Sequence, residues 1–266
     1  MRPESASSVA VAQKAARAAL LVFAALIFLP HSAHAQTVDE IVAKNIQAHG
    51  GLEKLRSVQT LRMTGKLNQG GFEAGLMQES KRADRVREEF TIQGLTQIQA
   101  YDGKTGWQIS PFGGRKDPEQ LSADDTKGLQ LDADIDGPLV DFAKKGHKAE
   151  LVGHDSVEGT DCYKIKLTLK NGDVRIYYLD TDSYLELKIE SQIMIRGAIQ
   201  ESETYFGDYE KVDGIYYPFE FQQGQKGDPN RATITVAKIE INVPLDDSIF
   251  PMPVMKPAAN ASGAHL

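Results

Sequence analysis

Between Val174 and Phe221 the chain alternates apolar and polar residues. Val174, Ile176 and Tyr178 come first, then Leu185, Leu187, Ile189, Ile193 and Ile195, and finally Ile215, Tyr217, Phe219 and Phe221. Residues two apart share one face of a strand, so each run reads as a strand with one apolar and one wetted side. Asp180-Thr181-Asp182-Ser183 supplies short polar residues for a tight turn between the first two runs, and Val212-Asp213-Gly214 turns the chain into the third. The stretch between the second and third runs reads as an acidic loop. Strands like these need a large apolar surface to lie against, and they contain no cluster of catalytic side chains.

The same period recurs on both sides of this stretch. Leu61, Met63 and Leu67 alternate with polar residues, Gly70-Gly71 turns, and Phe72, Ala74 and Leu76 resume the pattern. Val86, Phe90 and Ile92 follow the basic stretch Lys81 to Arg87. Ile98, Ala100 and Tyr101 lead through the hairpin turn Asp102-Gly103 to Trp107 and Ile109. Later, Tyr163 to Leu169 is a strand closed by Asn171-Gly172. Ala232 to Val243 is the last strand, and its apolar residues change parity, so a bulge is expected near Ala237 or Lys238.

Helical signals are few. Thr37 and Glu40 have capping-box spacing ahead of Val38, Ile41, Val42 and Ile46, and Gly50-Gly51 closes that helix. Pro111 to Asp136 reads as a long loop, with Leu129 to Phe142 spaced for short helices ending at Gly146. A segment of this length is either a lid or a surface excursion.

The first 35 residues read as a secretory signal. Arg2, Lys14 and Arg17 precede an apolar run from Ala18 to Leu29, and Ala33 and Ala35 provide a cleavage site after Ala35. That run is shorter than the ~20 residues a spanning helix needs. Gln36 follows, so no lipidated cysteine is expected at the new N-terminus, and the mature chain should be soluble and not membrane-spanning. The formal charge of −7 argues against nucleic acid as a partner. The lone cysteine, Cys162, can form no intramolecular disulfide. The boundaries read are a signal over 1–35, one domain over 36–250 with a loop and helix segment at 111–146, and a disordered Pro-rich tail over 251–266.

Catalytic chemistry finds little support. His154-Asp155 beside Gly153 reads as solvated loop, and His49, His147 and His265 lack a partner at metal-ligand spacing. Asp132, Asp134 and Asp136 have the opening spacing of a calcium loop, but Gly137 follows where further ligands belong. No phosphate loop is present. No cofactor, metal site or catalytic residue is assigned, and the chain is expected not to be an enzyme.

What the sequence supplies is apolar surface. Many amphipathic strands, one leading helix and a helical excursion make a mainly β (α+β) fold, an incompletely closed antiparallel barrel with a helical cover. Candidate lining residues are Trp107, Leu187, Ile189, Ile193, Tyr217 and Phe219.

Three stretches resemble the LolA/LolB-like periplasmic lipoprotein-carrier superfamily and its outer-membrane lipoprotein-sorting relatives. They are Ile41 to Leu67 with Gly50-Gly51-Leu52, Lys81-Arg82 followed by Tyr101 to Trp107 and Ser110-Pro111-Phe112, and Tyr209 to Phe219 with Val212-Asp213-Gly214-Ile215. The resemblance implies an open barrel or half-barrel of about eleven antiparallel strands with covering helices. It also implies a periplasmic location, a ligand that is a lipoprotein acyl chain or other lipid, and inner- or outer-membrane transport proteins as partners. Arg82 matches an arginine that fastens the helical lid in that family, with Ala83 where the family has proline and Val86 where it has an aromatic. The alternative the resemblance offers is an interaction module that senses envelope stress.

Overall fold

The computed structural model describes residues 36–254 except 115. The signal read over 1–35 and the end of the tail, 255–266, lie outside the described residues.

Helix α1 (Val38–Ala48) begins as its capping box requires. The Thr37 side chain accepts from the Glu40 amide, and the Glu40 carboxylate accepts from the Thr37 amide at 2.8 Å. Gly50 and Gly51, both at positive φ, end it and lead to the short α2 (Leu52–Ser57). The rest is one antiparallel sheet in two meanders. β1 (Thr60–Gln69), β2 (Phe72–Lys81), β3 (Arg85–Ile92), β4 (Leu95–Tyr101), β5 (Gly106–Ile109) and β6 (Glu119–Gln120) pair in chain order. β7 (Lys148–Val157), β8 (Thr160–Thr168), β9 (Val174–Asp180), β10 (Glu186–Ile195), β11 (Ala198–Val212), β12 (Ile215–Gln225) and β13 (Ala232–Ile241) do the same. β13 pairs with β1 and joins the meanders, while β6 and β7 are unjoined edges, so the barrel is open. The described sheet has thirteen strands rather than eleven.

The acidic loop expected after β10 is instead the longest strand, β11. Glu201 and Glu203 lie on the outer face, where they meet bases. Glu203 stands opposite Glu190 in the register. Lys188 bridges the two carboxylates at 2.9 Å to each, Arg231 reaches Glu203 and Lys226 reaches Glu190. The like charges thus become a paired ladder, and a stretch that composition marks as loop stays extended.

Side-chain facing departs from the alternation reading on β9 and β10 and follows it on β13. The shift between Glu186 and Lys188 turns Leu187 outward, against Val157, Cys162 and Tyr178. On β9 the outward residues are Ile176 and Tyr178, while Tyr177 and Leu179 face the main core, the reverse of the face expected from their alternation. In β13 the expected bulge is present: Thr64 pairs with Lys238 and Gly65 with Val236, leaving Ala237 as the extra residue.

The main core fills only half of the concave face. Ile41 and Val42 of α1 and Leu139 of the cover pack on Ile165, Leu167, Tyr177, Leu179 and Ile189 of β8 to β10. Between β6 and β7 the chain forms α3 (Lys127–Asp132) and then a series of turns, not the further helices expected around Leu139 to Phe142. The 121–128 stretch spans toward the β10–β11 hairpin, with Lys127 bonded to the Met194 carbonyl and Arg196 to Asp124 and Asp125.

Candidate functional site

Over β1, β2, β12 and β13 the concave face is hollow, leaving a cavity of about 820 Å³. One wall is apolar: Leu61, Met63 and Leu67 of β1, Phe221 of β12, and Ile234, Val236 and Ile239 of β13. Along β2 to β4 the lining turns polar. Gln78, Glu88 and Gln99 are register partners in one cross-strand row that faces the hollow. The cover contributes Leu131 and Ile135.

The end beneath α1 and α2 is pinned. Asn45 and His49 leave the last turn of α1 and meet Glu186, with Asn45 Nδ2 2.9 Å from Oε1 and His49 Nε2 2.7 Å from Oε2. His49 Nδ1 lies 2.8 Å from the Tyr216 carbonyl, and the Tyr209 hydroxyl donates to the Glu186 carbonyl. Burial alone would lower the His49 pKa, but the Glu186 charge and its hydrogen bond raise it to about 9. Burial likewise opposes Glu186 ionisation, yet His49 and Asn45 hold its pKa down to about 2. Gly50 permits the approach: it sits at φ 123°, and a Cβ there would lie 2.4 Å from the Gly214 carbonyl oxygen.

Arg82 is the second pin. Its guanidinium donates twice to Asp136 at 2.7 Å, and also to the Leu55 carbonyl at 2.8 Å and the Val58 carbonyl. One side chain thus ties the β2–β3 turn, the end of α2 and the cover. The Asp136 hydrogen bond raises its pKa further. The three acids with calcium-loop spacing part company here: Asp136 goes to Arg82, Asp134 to Lys145 at 2.5 Å, and Asp132 to Glu88.

Ile189 and Tyr217 line the cavity, and the other residues expected there do not. Trp107 shares the row Arg62, Glu79, Arg87, Ala100, the convex side, where it is fully buried and its indole donates to the Phe250 carbonyl at 2.6 Å. Val86 faces inward, but α3 covers it through Leu129 and Ala133. Leu187 is turned outward by its bulge. Ile193 borders a smaller hollow of about 500 Å³ with Ile195 and Leu121. Phe219 is half-buried and is not among the lining residues, although Tyr217, Pro218 and Phe221 on either side of it are.

The alternation pattern missed the polar lining. Its one signal was Glu88 on the apolar parity of Val86, Phe90 and Ile92. Among the described residues no group of three or more His, Cys, Asp or Glu could hold a metal, and no helix is long and apolar enough to cross a membrane.

Known proteins match this architecture more than this sequence. A family described as "Uncharacterized protein" matches residues 138–256. No curated protein matches the chain. A DUF1329 family protein from Desulfovibrio piger is similar at TM-score 0.57 and 15% identity, covering 82% of this chain and 98% of its own. A LolA superfamily protein from Nitrosomonas europaea is similar at 0.55 and 13%, covering 82% and 98%. A protein from Vibrio parahaemolyticus described as an outer membrane lipoprotein-sorting domain is similar at 0.55 and 12%, covering 79% and 94%. The chain has the LolA-like fold that its sequence resembles.

Proposed function

We propose that this protein is a non-catalytic periplasmic carrier that holds the acyl chain of a lipid or lipoprotein in the cavity. The observation that carries the reading is the unfilled apolar wall of β1, β12 and β13, beside the part of the same sheet where α1 and the cover pack into the main core. A volume of about 820 Å³ falls within the ~300–1,000 Å³ of small-molecule sites. Burying about ten methylenes at about 0.8 kcal/mol each supplies about 8 kcal/mol before ordering costs, enough for a carrier without special chemistry. The likeness to a lipoprotein-sorting domain supports the same reading. Gentle native mass spectrometry of protein purified from periplasm, followed by lipid extraction, tests it. A stoichiometric bound lipid is the expected result, and an apo mass that persists after incubation with lipids and a lipidated peptide overturns it.

A second reading, a module that binds a partner protein, has its own observation. Phe72, Leu95, Phe112, Met194 and Ile199 are all exposed; the register places Phe72, Leu95, Met194 and Ile199 at the hairpin ends opposite α1 and α2, and Phe112 lies in the 3-10 turn Pro111–Gly113 that follows β5. A stable complex formed by the apo protein and lost in Ile199→Glu would favour it.

A further inference from the structure

Several polar side chains line this cavity without a role in acyl-chain binding alone, among them Glu88 from β3, Asp132 from the end of α3, and Arg175 and Tyr177 from β9. Glu88 and Asp132 are hydrogen-bonded carboxyl groups, which requires a proton between them. Burial and the Asp132 charge push Glu88 up to about 8, and burial raises Asp132 as well, against the pull of the nearby Arg175 charge. The two carboxyl groups therefore share a proton beside the Arg175 charge.

Two donors remain unused. Arg175 Nε and the Tyr177 hydroxyl are buried and have no hydrogen-bond partner, although Tyr177 is only 3% exposed and both residues line the cavity. The Arg175 guanidinium carbon lies 5.8 Å from the centroid of the Tyr177 ring, so the two side chains are neighbours on the cavity wall. Burial pushes the phenol up to about 12, so it stays a donor. Buried donors are rarely left unmatched, because each forfeits its hydrogen bonds to water.

We propose that this corner is a head-group subsite for an uncharged hydrogen-bond acceptor, the carbonyl of an acyl ester or amide, bound by Arg175 and Tyr177. The inference rests on the carrier reading and names the chemistry of the ligand's polar end. An ester or amide carbonyl offers acceptor lone pairs and adds no charge. A carboxylate head would bring a further anion to a corner lined by the carboxyl groups of Glu88 and Asp132, beside Asp134 and Glu186, whose charges also face Tyr177. The apolar wall then takes the chain, and the polar row takes the end that is linked to the rest of the molecule.

The test is displacement of the apolar dye phenylnaphthylamine by monopalmitoylglycerol, palmitate or hexadecane at neutral pH. It is run on the wild type, Tyr177→Phe and Arg175→Met. Two net hydrogen bonds of about 0.5–1.5 kcal/mol each predict that the glyceryl ester displaces dye at concentrations about ten-fold lower than palmitate or hexadecane. Tyr177→Phe removes an unpaired hydroxyl and keeps the ring, so it should fold and lose about three-fold of the ester preference. Palmitate equal to the ester, or an unchanged preference in a Tyr177→Phe protein that binds dye, overturns the subsite and leaves the carrier reading standing. A wild type that takes up neither dye nor any competitor overturns both.

Discussion

Arg82 and Asp136 meet in a two-pronged ion pair, each terminal guanidinium nitrogen 2.7 Å from a carboxylate oxygen. Because the same guanidinium also holds α2 carbonyls, the pair links the closed end of the barrel to its cover. Asp136→Asn should keep the shape and weaken the link by about 2 kcal/mol, the range for hydrogen bonds to charged groups in a partly buried site. Urea unfolding reads the loss, and apolar dye should enter and leave faster. Unchanged dye kinetics would make the pair a stability contact only.

A charged wall should abolish lipid uptake without abolishing the fold. Ile189→Asp is a poor probe of this, because Ile189 is 6% exposed in the main core and its loss would unfold the chain. Met63 is half-buried and faces the hollow, so Met63→Glu can ionise there. We expect native-like circular dichroism and at least a ten-fold weaker binding of acyl probes, measured by titration.

The His49–Glu186 pair predicts a pH window. His49 rises from 6.5 to about 9 on folding, so its contribution is complete below about 6.5 and disappears as pH climbs through about 9. Glu186 falls from 4.5 to about 2, so its contribution is present above about 4.5 and is lost as pH drops through about 2. Thermal melts of His49→Gln should be lower near pH 6 and flatter across the alkaline limb. A wild-type melting temperature that stays constant from pH 6 to about 9 would contradict the pairing.

Gly50→Ala tests the close approach of α1 to the β11–β12 turn. The new methyl meets a backbone oxygen at a positive φ, so neither strain nor clash can be relieved by a rotamer. A cost of about 3 kcal/mol or more is expected in urea unfolding, with loss of the Tyr216 amide bond to the His49 carbonyl visible as faster amide exchange.

Alternation made most strands legible because one face of each is wetted, and the parity change in Ala232 to Val243 even located the Ala237 bulge. It failed where a neighbouring strand supplied what local sequence lacks. The acids of β11 become strand-compatible only beside Lys188, Lys226 and Arg231. Leu187 leaves its parity because β10 slips by one residue against β9. The polar half of the cavity was hidden because period-two reading selects apolar residues, and Glu88, Arg175 and Tyr177 lie on faces that only the tertiary fold encloses.

Pairing of the first strand with the last gives this sheet a kinetic seam. Every other joint is between consecutive strands, whereas β1 against β13 closes a loop over nearly the whole described chain, the contact with the largest closure entropy. Pulse-labelled hydrogen exchange should find the β13 amides protected last. Before β13 pairs with β1 the two meanders share no hydrogen-bonded edge, so each would have to keep its greasy wall from water alone or with the help of a holding chaperone.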